Sequence, residues 1–120
     1  MTKILLKRAY AAPSAEDGYR ILVDRLWPRG QSKAVLQLDH WAKGIAPSTE
    51  LRKGWDHDPA RFDEFAQHYR TELNQNPAVD DFLELLSQHP VVTFVYGAKD
   101  EQTNHAVVLR DYLLDQLSAP

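Results

Sequence analysis

Val91-Val92-Thr93-Phe94-Val95-Tyr96, followed by Gly97-Ala98-Lys99-Asp100 and then by Ala106, Leu109, Leu113 and Leu117 at helical spacing, is the stretch that decides the fold. Its first six residues are β-branched or aromatic and follow the breaker His89-Pro90, so they read as a strand. A loop and an apolar-faced helix come next. Working outward, Lys3 to Arg8 (KILLKR) and Tyr19 to Asp24 (YRILVD) read as two more strands, the second apolar enough to be covered on both faces. Val35 to Ala42 alternates in part, with Leu36, Leu38, His40 and Ala42 against Gln37, Asp39 and Trp41, and reads as another strand.

Three helical patterns fill the middle of the chain. Pro47-Ser48-Thr49-Glu50 offers a hydroxyl cap and an early acid, with Leu51 and Trp55 on one face. Phe62, Phe65, Tyr69 and Leu73 form a stripe on a helix opened by Asp58-Pro59, and Val79, Phe82, Leu83 and Leu86 form the buried face of one opened by Pro77. Strands alternating with helices need crossover connections. The expectation is therefore one α/β domain over residues 1–120, in two or three layers, with a short, at least partly parallel sheet of about four strands and about four helices. Ser118-Ala119-Pro120 reads as a frayed end.

Composition narrows the function. With no cysteine in 120 residues, disulfide scaffolds, thiolate catalysis and iron–sulfur clusters are excluded. There is no apolar run long enough to span a membrane, and the start, Met1 to Arg8, has too short an apolar core for a signal peptide, so a cytoplasmic location is expected. The formal charge of −3 argues against a general nucleic-acid binder, yet residues 1–55 hold ten Lys and Arg against five Asp and Glu, while residues 56–120 hold four against twelve. The first half can build a local field for an anion. His40, His57, His68, His89 and His105 lack metal-site register, Asp56-His57-Asp58 reads as a solvated loop, and no Gly-rich phosphate loop is present, so neither a metal nor a cofactor is expected.

Ligands of open α/β sheets bind beyond the carboxyl ends of the strands. Two polar clusters fall at that level. Asp24-Arg25-Leu26-Trp27-Pro28-Arg29-Gly30 offers guanidinium forks and a flat ring, and Tyr96-Gly97-Ala98-Lys99-Asp100 with Asn104-His105 offers cations and a proton-transfer group at a helix start. The plainer reading is an Asp24–Arg pair pinning a turn, with Asp100, Thr103 or Asn104 capping the last helix.

Gly18 through Gly30, Trp41-Ala42-Lys43, Ala46 through Lys53, Tyr96 through Lys99 and Asn104-His105-Ala106 resemble the YeaO-like branch of the bacterial domain of unknown function 488 family. The resemblance covers nearly the whole chain and implies a small cytoplasmic bacterial α/β protein, without implying an activity. A more distant branch looks as if it carries cysteine where this chain has Tyr96 and Asn104, and the absence of cysteine here keeps any thiol chemistry from carrying over. Some relatives carry a transcription-regulator label, and no recognition helix here supports it.

Three functions follow as expectations. In the first, a phosphate, nucleotide or carboxylate is bound or transformed. Asp24, Lys99 and His105 are the candidate catalytic residues, and Arg25, Trp27, Arg29, Arg52, Tyr96 and Asn104 contact the ligand. In the second, Arg20, Arg25, Arg29, Lys33, Lys43, Arg52 and Lys53 touch nucleic-acid phosphates while Trp27 or Trp41 stacks on a base. In the third, the motif residues only hold the fold together. The first requires the two clusters to share one cavity wall.

Overall fold

A computed structural model describes residues 2–118. Four strands, β1 (Lys3–Arg8), β2 (Tyr19–Leu22), β3 (His40–Trp41) and β4 (Val91–Tyr96), form one sheet in the order β1-β4-β2-β3. Every pair is parallel, with Ile4 opposite Val92, Ile21 opposite Phe94 and Ile21 opposite His40. Among the described residues the five α-helices are α1 (Lys33–Leu36), α2 (Thr49–Trp55), α3 (Phe62–Asn74), α4 (Ala78–Ser87) and α5 (His105–Ser118). Ser118 closes α5, and the remainder of the expected frayed end, Ala119 and Pro120, lies outside the described residues. Among the described residues no helix is long and apolar enough to cross a membrane.

Alternation along the central strands sorts the side chains onto two faces. Ile21, Val92, Phe94 and Tyr96 join the main core with Trp55, Phe65, Tyr69 and Leu73 of α2 and α3, Val79, Phe82 and Leu86 of α4, and Leu109 and Leu113 of α5. Each large apolar side chain withdrawn from water there contributes about 1.5–3 kcal/mol. Leu22 and Val95 point the other way, into a smaller cluster with Ala9 and Leu36. That second face is covered by loops and the single turn of α1. As expected from its apolarity, β2 is sealed on both faces, with Ile21 and Leu22 fully buried.

The strand expected over Val35 to Ala42 is corrected. Ser32 accepts a hydrogen bond from the Val35 N–H and starts α1, Gln37 ends it in the left-handed region at φ 49°, and only His40–Trp41 pairs with β2. The Leu36 and Leu38 alternation came from packing on the second face, which a helical turn followed by a loop satisfies as well as a strand does. Two smaller differences concern boundaries. Asp58 caps a 3-10 turn over Pro59–Arg61 before α3 begins, and β2 stops at Leu22.

Candidate functional site

The site grows from the carboxyl ends of β2 and β4, adjacent central strands. Past β2, the Val23 N–H still donates to the Val95 carbonyl, which holds the chain against β4 for one more residue before Asp24 turns away. The Trp41 indole N–H donates to the Asp24 carbonyl at 2.7 Å, so the backbone there is tied from a third strand. Asp24 Oδ2 accepts the Gly97 N–H at 2.8 Å. A Cβ at position 97 would stand 3.0 Å from that oxygen, so glycine is what lets the carboxylate come so close.

Asp24 Oδ1 lies 2.8 Å from Nε2 of His105, the first residue of α5, with the two side chains 18% and 12% exposed. The same nitrogen is 3.2 Å from the Val23 carbonyl oxygen. Two oxygens facing one ring nitrogen require a proton on it. The N–H is directed to the Val23 carbonyl, and Oδ1 is near it but without an aligned donor, so this contact is electrostatic more than a well-formed hydrogen bond.

Arg25 donates through Nε and Nη2 to the carbonyls of Pro47 and Ala46, at 3.1 and 3.2 Å, drawing the entrance of α2 toward the end of β2. Ser48 caps α2 by accepting the Leu51 N–H, and both carboxylate oxygens of Glu72 on α3 accept from Ser48. A short helix held this firmly presents Arg52 in a fixed direction. Its Nε is buried and has no acceptor among the described residues. Beyond α2, Asp56 and His57 both take positive φ, 52° and 54°, a strained pair that turns the chain back over Trp55.

These segments enclose a cavity of about 200 Å³. Its polar wall is Asp24, Arg25, Arg52, His57 and His105, and its apolar wall is Leu26, Ala46, Pro47, Trp55, Phe65 and Ala98. Trp55 and Phe65 stack at 4.1 Å between ring centroids, and below them the buried Tyr69 hydroxyl donates to the Ile45 carbonyl. Burial pushes the Tyr69 phenol well above its ordinary pKa, which keeps it a donor.

The two clusters meet. Asp24, Arg25, Arg52 and His105 share this wall, as the reading of strand ends required. Other candidates lie elsewhere. Trp27 packs on the second face of the sheet, edge to Trp41, with its N–H on the Gln31 carbonyl. Arg29 and Lys99 are exposed and do not line the cavity. Tyr96 is in the main core with its phenol pKa raised by burial, and Asn104, fully buried, donates to the Asp100 carbonyl and accepts the Val107 N–H as the cap of α5. The capping part of the plainer reading is thus correct, whereas Asp24 engages Gly97 and His105 rather than an arginine. Among the basic residues considered for nucleic acid, Arg20 is buried against Asp17.

His57 lies in an exposed loop, as the Asp-His-Asp setting suggests, and it also lines the cavity, which the sequence alone does not signal. Among the described residues, no three His, Asp or Glu side chains gather as a metal site.

Residues 3–120 match the family described as DUF488-N3i, inactive DUF488-N3 subclade. The chain is 44% identical to the uncharacterized protein YeaO of Escherichia coli over 110 residues, covering 92% of this chain and 96% of the relative. It is 40% identical over 112 residues to the uncharacterized proteins Mb3100c of Mycobacterium bovis and Rv3073c of Mycobacterium tuberculosis, covering 93% of this chain and 94% of each relative. No solved structure matches it significantly. With nearly its whole length matched and a relative so similar from end to end, the chain belongs to the DUF488-N3i family, the inactive DUF488-N3 subclade.

Proposed function

We propose that this chain binds a compact anionic small molecule in the cavity beyond β2 and β4, without converting it. The observation that carries the reading is the meeting of Asp24 and His105 at 2.8 Å beside Arg25 and Arg52, on an apolar floor. Guanidinium groups attract the anion, Asp24 and His105 form the polar wall, and the Arg52 Nε–H gains the acceptor that the described residues do not supply. A buried donor without an acceptor costs about 1–3 kcal/mol, so an arriving oxygen has that much to recover.

Binding is favoured over turnover on two grounds. The lining includes no serine, threonine, tyrosine, lysine or cysteine, so no side-chain hydroxyl, amine or thiol stands ready as a nucleophile beside the Asp24–His105 pair. The family description also carries the word inactive. A cytoplasmic location goes with this reading. A nucleic-acid module has less support, because Arg20 is buried, the Lys43 ammonium lies 4.1 Å from the centre of the Trp41 ring, and both Trp27 and Trp41 pack against the second face of the sheet.

Thermal unfolding of the full chain against phosphate, sugar phosphates, nucleotides, aliphatic and aromatic carboxylates, and short DNA and RNA at low salt tests the reading. A ligand at 100 times its Kd stabilises by about 2.7 kcal/mol, a shift of several degrees. At least one small anion is expected to raise the melting temperature, with Arg52→Gln and His105→Asn shrinking the shift. If no small anion does so, or if both variants bind like wild type, the reading is wrong. A shift with nucleic acid alone would replace it.

A further inference from the structure

We infer that the cavity selects a monocarboxylate with an apolar body over phosphates and nucleotides; this rests on the anion-binding reading and narrows it. Charge is the first argument. Among the lining residues two guanidiniums face one carboxylate, which leaves a single net positive charge while both imidazoles are neutral. Glu72 keeps its own charge, because Ser48 offers it only neutral donors; it does not line the cavity, and its field adds to the disadvantage of a second negative charge there. One negative charge neutralises the wall, whereas the second charge of a phosphate dianion would sit half-buried without a partner.

Donor geometry is the second argument. Arg25 already gives Nε and Nη2 to backbone carbonyls. Arg52 Nε has no acceptor among the described residues, so the Nε and Nη edge of its guanidinium, which matches the spacing of two carboxylate oxygens, remains to be filled. Because Nε is closed to solvent, the carboxylate engages it after a small turn of the Arg52 side chain.

Size and lining complete the case. About 200 Å³ is below the roughly 300–1,000 Å³ usual for drug-sized ligands, which disfavours a nucleotide. The rest of the wall is apolar, from the stacked Trp55 and Phe65 rings to Leu26, which is 59% exposed at the mouth. A hydrated phosphate would leave that surface unused, while a carboxylate on a ring or short branched chain would cover it.

Calorimetric titration of the full chain with benzoate, benzamide, inorganic phosphate and adenosine monophosphate at pH 8, where phosphate is a dianion, tests this. Benzoate is expected to bind at least ten-fold more tightly than each of the other three, and Arg52→Gln to weaken benzoate at least ten-fold. Phosphate or the nucleotide binding as tightly as benzoate would overturn the selectivity and leave the anion-binding reading standing. Benzamide equal to benzoate would overturn the charge pairing, a comparison that needs no variant to fold. Absence of binding by all four would overturn the inference, and the wider thermal panel then judges the underlying reading separately.

Discussion

Asp17 and Arg20 form a buried ion pair where the connection from β1 runs into β2. Both side chains are 4% exposed, joined at 2.6 Å, with Lys7 reaching Asp17 from β1 at 2.8 Å and Arg20 Nε donating to the Leu36 carbonyl. Arg20 reads as a cation open to phosphate because it belongs to the basic first half of the chain, although its partner, Asp17, stands only three residues earlier. Removing one member of a buried pair leaves the other charge uncompensated, so Asp17→Asn should lower stability by about 3–5 kcal/mol at neutral pH in urea unfolding. The same carboxyl links stability to acid. Burial alone would raise its pKa, but the bonds from Lys7, the Ser14 N–H and Arg20 outweigh burial and hold it below the ordinary carboxylate value. A depressed folded-state value stabilises the fold above the unfolded pKa, roughly 4, and that contribution disappears as pH falls through the folded value. Wild-type stability should therefore drop below about pH 4, and the Asp17→Asn curve should lack that component. Parallel curves for the two proteins would show the linkage to lie elsewhere.

At the scale of elements, α5 shows what a polar residue in a binding motif can be for. Asn104 sits fully buried between the Asp100 carbonyl and the Val107 N–H, and Asp100 in turn accepts from the Gln102 and Thr103 N–H groups. Asn104→Ala removes the cap and strands a carbonyl, and about 2 kcal/mol should be lost in thermal unfolding. Asn104→Asp keeps the acceptor but not the donor, so its melting temperature should fall between those of Asn104→Ala and wild type. An alanine variant as stable as wild type would free Asn104 for the ligand role first considered. Most elements were legible because their signals are local: the β-branched run of β4, the stripe of α3 and the Ser48 cap of α2 need no tertiary knowledge. The stretch from Lys33 to Trp41 was not, since Leu36 and Leu38 face the second apolar cluster whether the backbone is coiled or extended.

For the whole molecule, the level of the site followed from topology, while its membership did not. A parallel sheet sends every strand's carboxyl end to one edge, so residues just after β2 and β4 had to emerge together, and Asp24 and His105 do. Which loop residues reach the cavity depends on side-chain direction, which explains why Trp27, Arg29 and Lys99 lie elsewhere while the exposed His57 lines it. The sheet order carries a further demand. With β4 between β1 and β2, the connection from β1 to β2 must pass the start of β4 at close range. Gly18 makes that passage at φ 65° and ψ −133°, with a hypothetical Cβ 2.3 Å from the Val91 carbonyl oxygen, and the Thr93 hydroxyl donates to the neighbouring Asp17 carbonyl at 2.7 Å. Alanine there meets strain of about 1–3 kcal/mol from the backbone conformation, and a collision with main-chain atoms that no side-chain rotation relieves. Gly18→Ala should therefore lose more than about 3 kcal/mol, a fall of roughly 10 °C or more for a chain of this size. Position 18 does not line the cavity, so the folded fraction at low temperature should still respond to the anion that shifts wild type. A variant melting within about 3 °C of wild type would mean that the β1–β2 connection does not press on the central strand, and would remove the reason why this turn requires glycine.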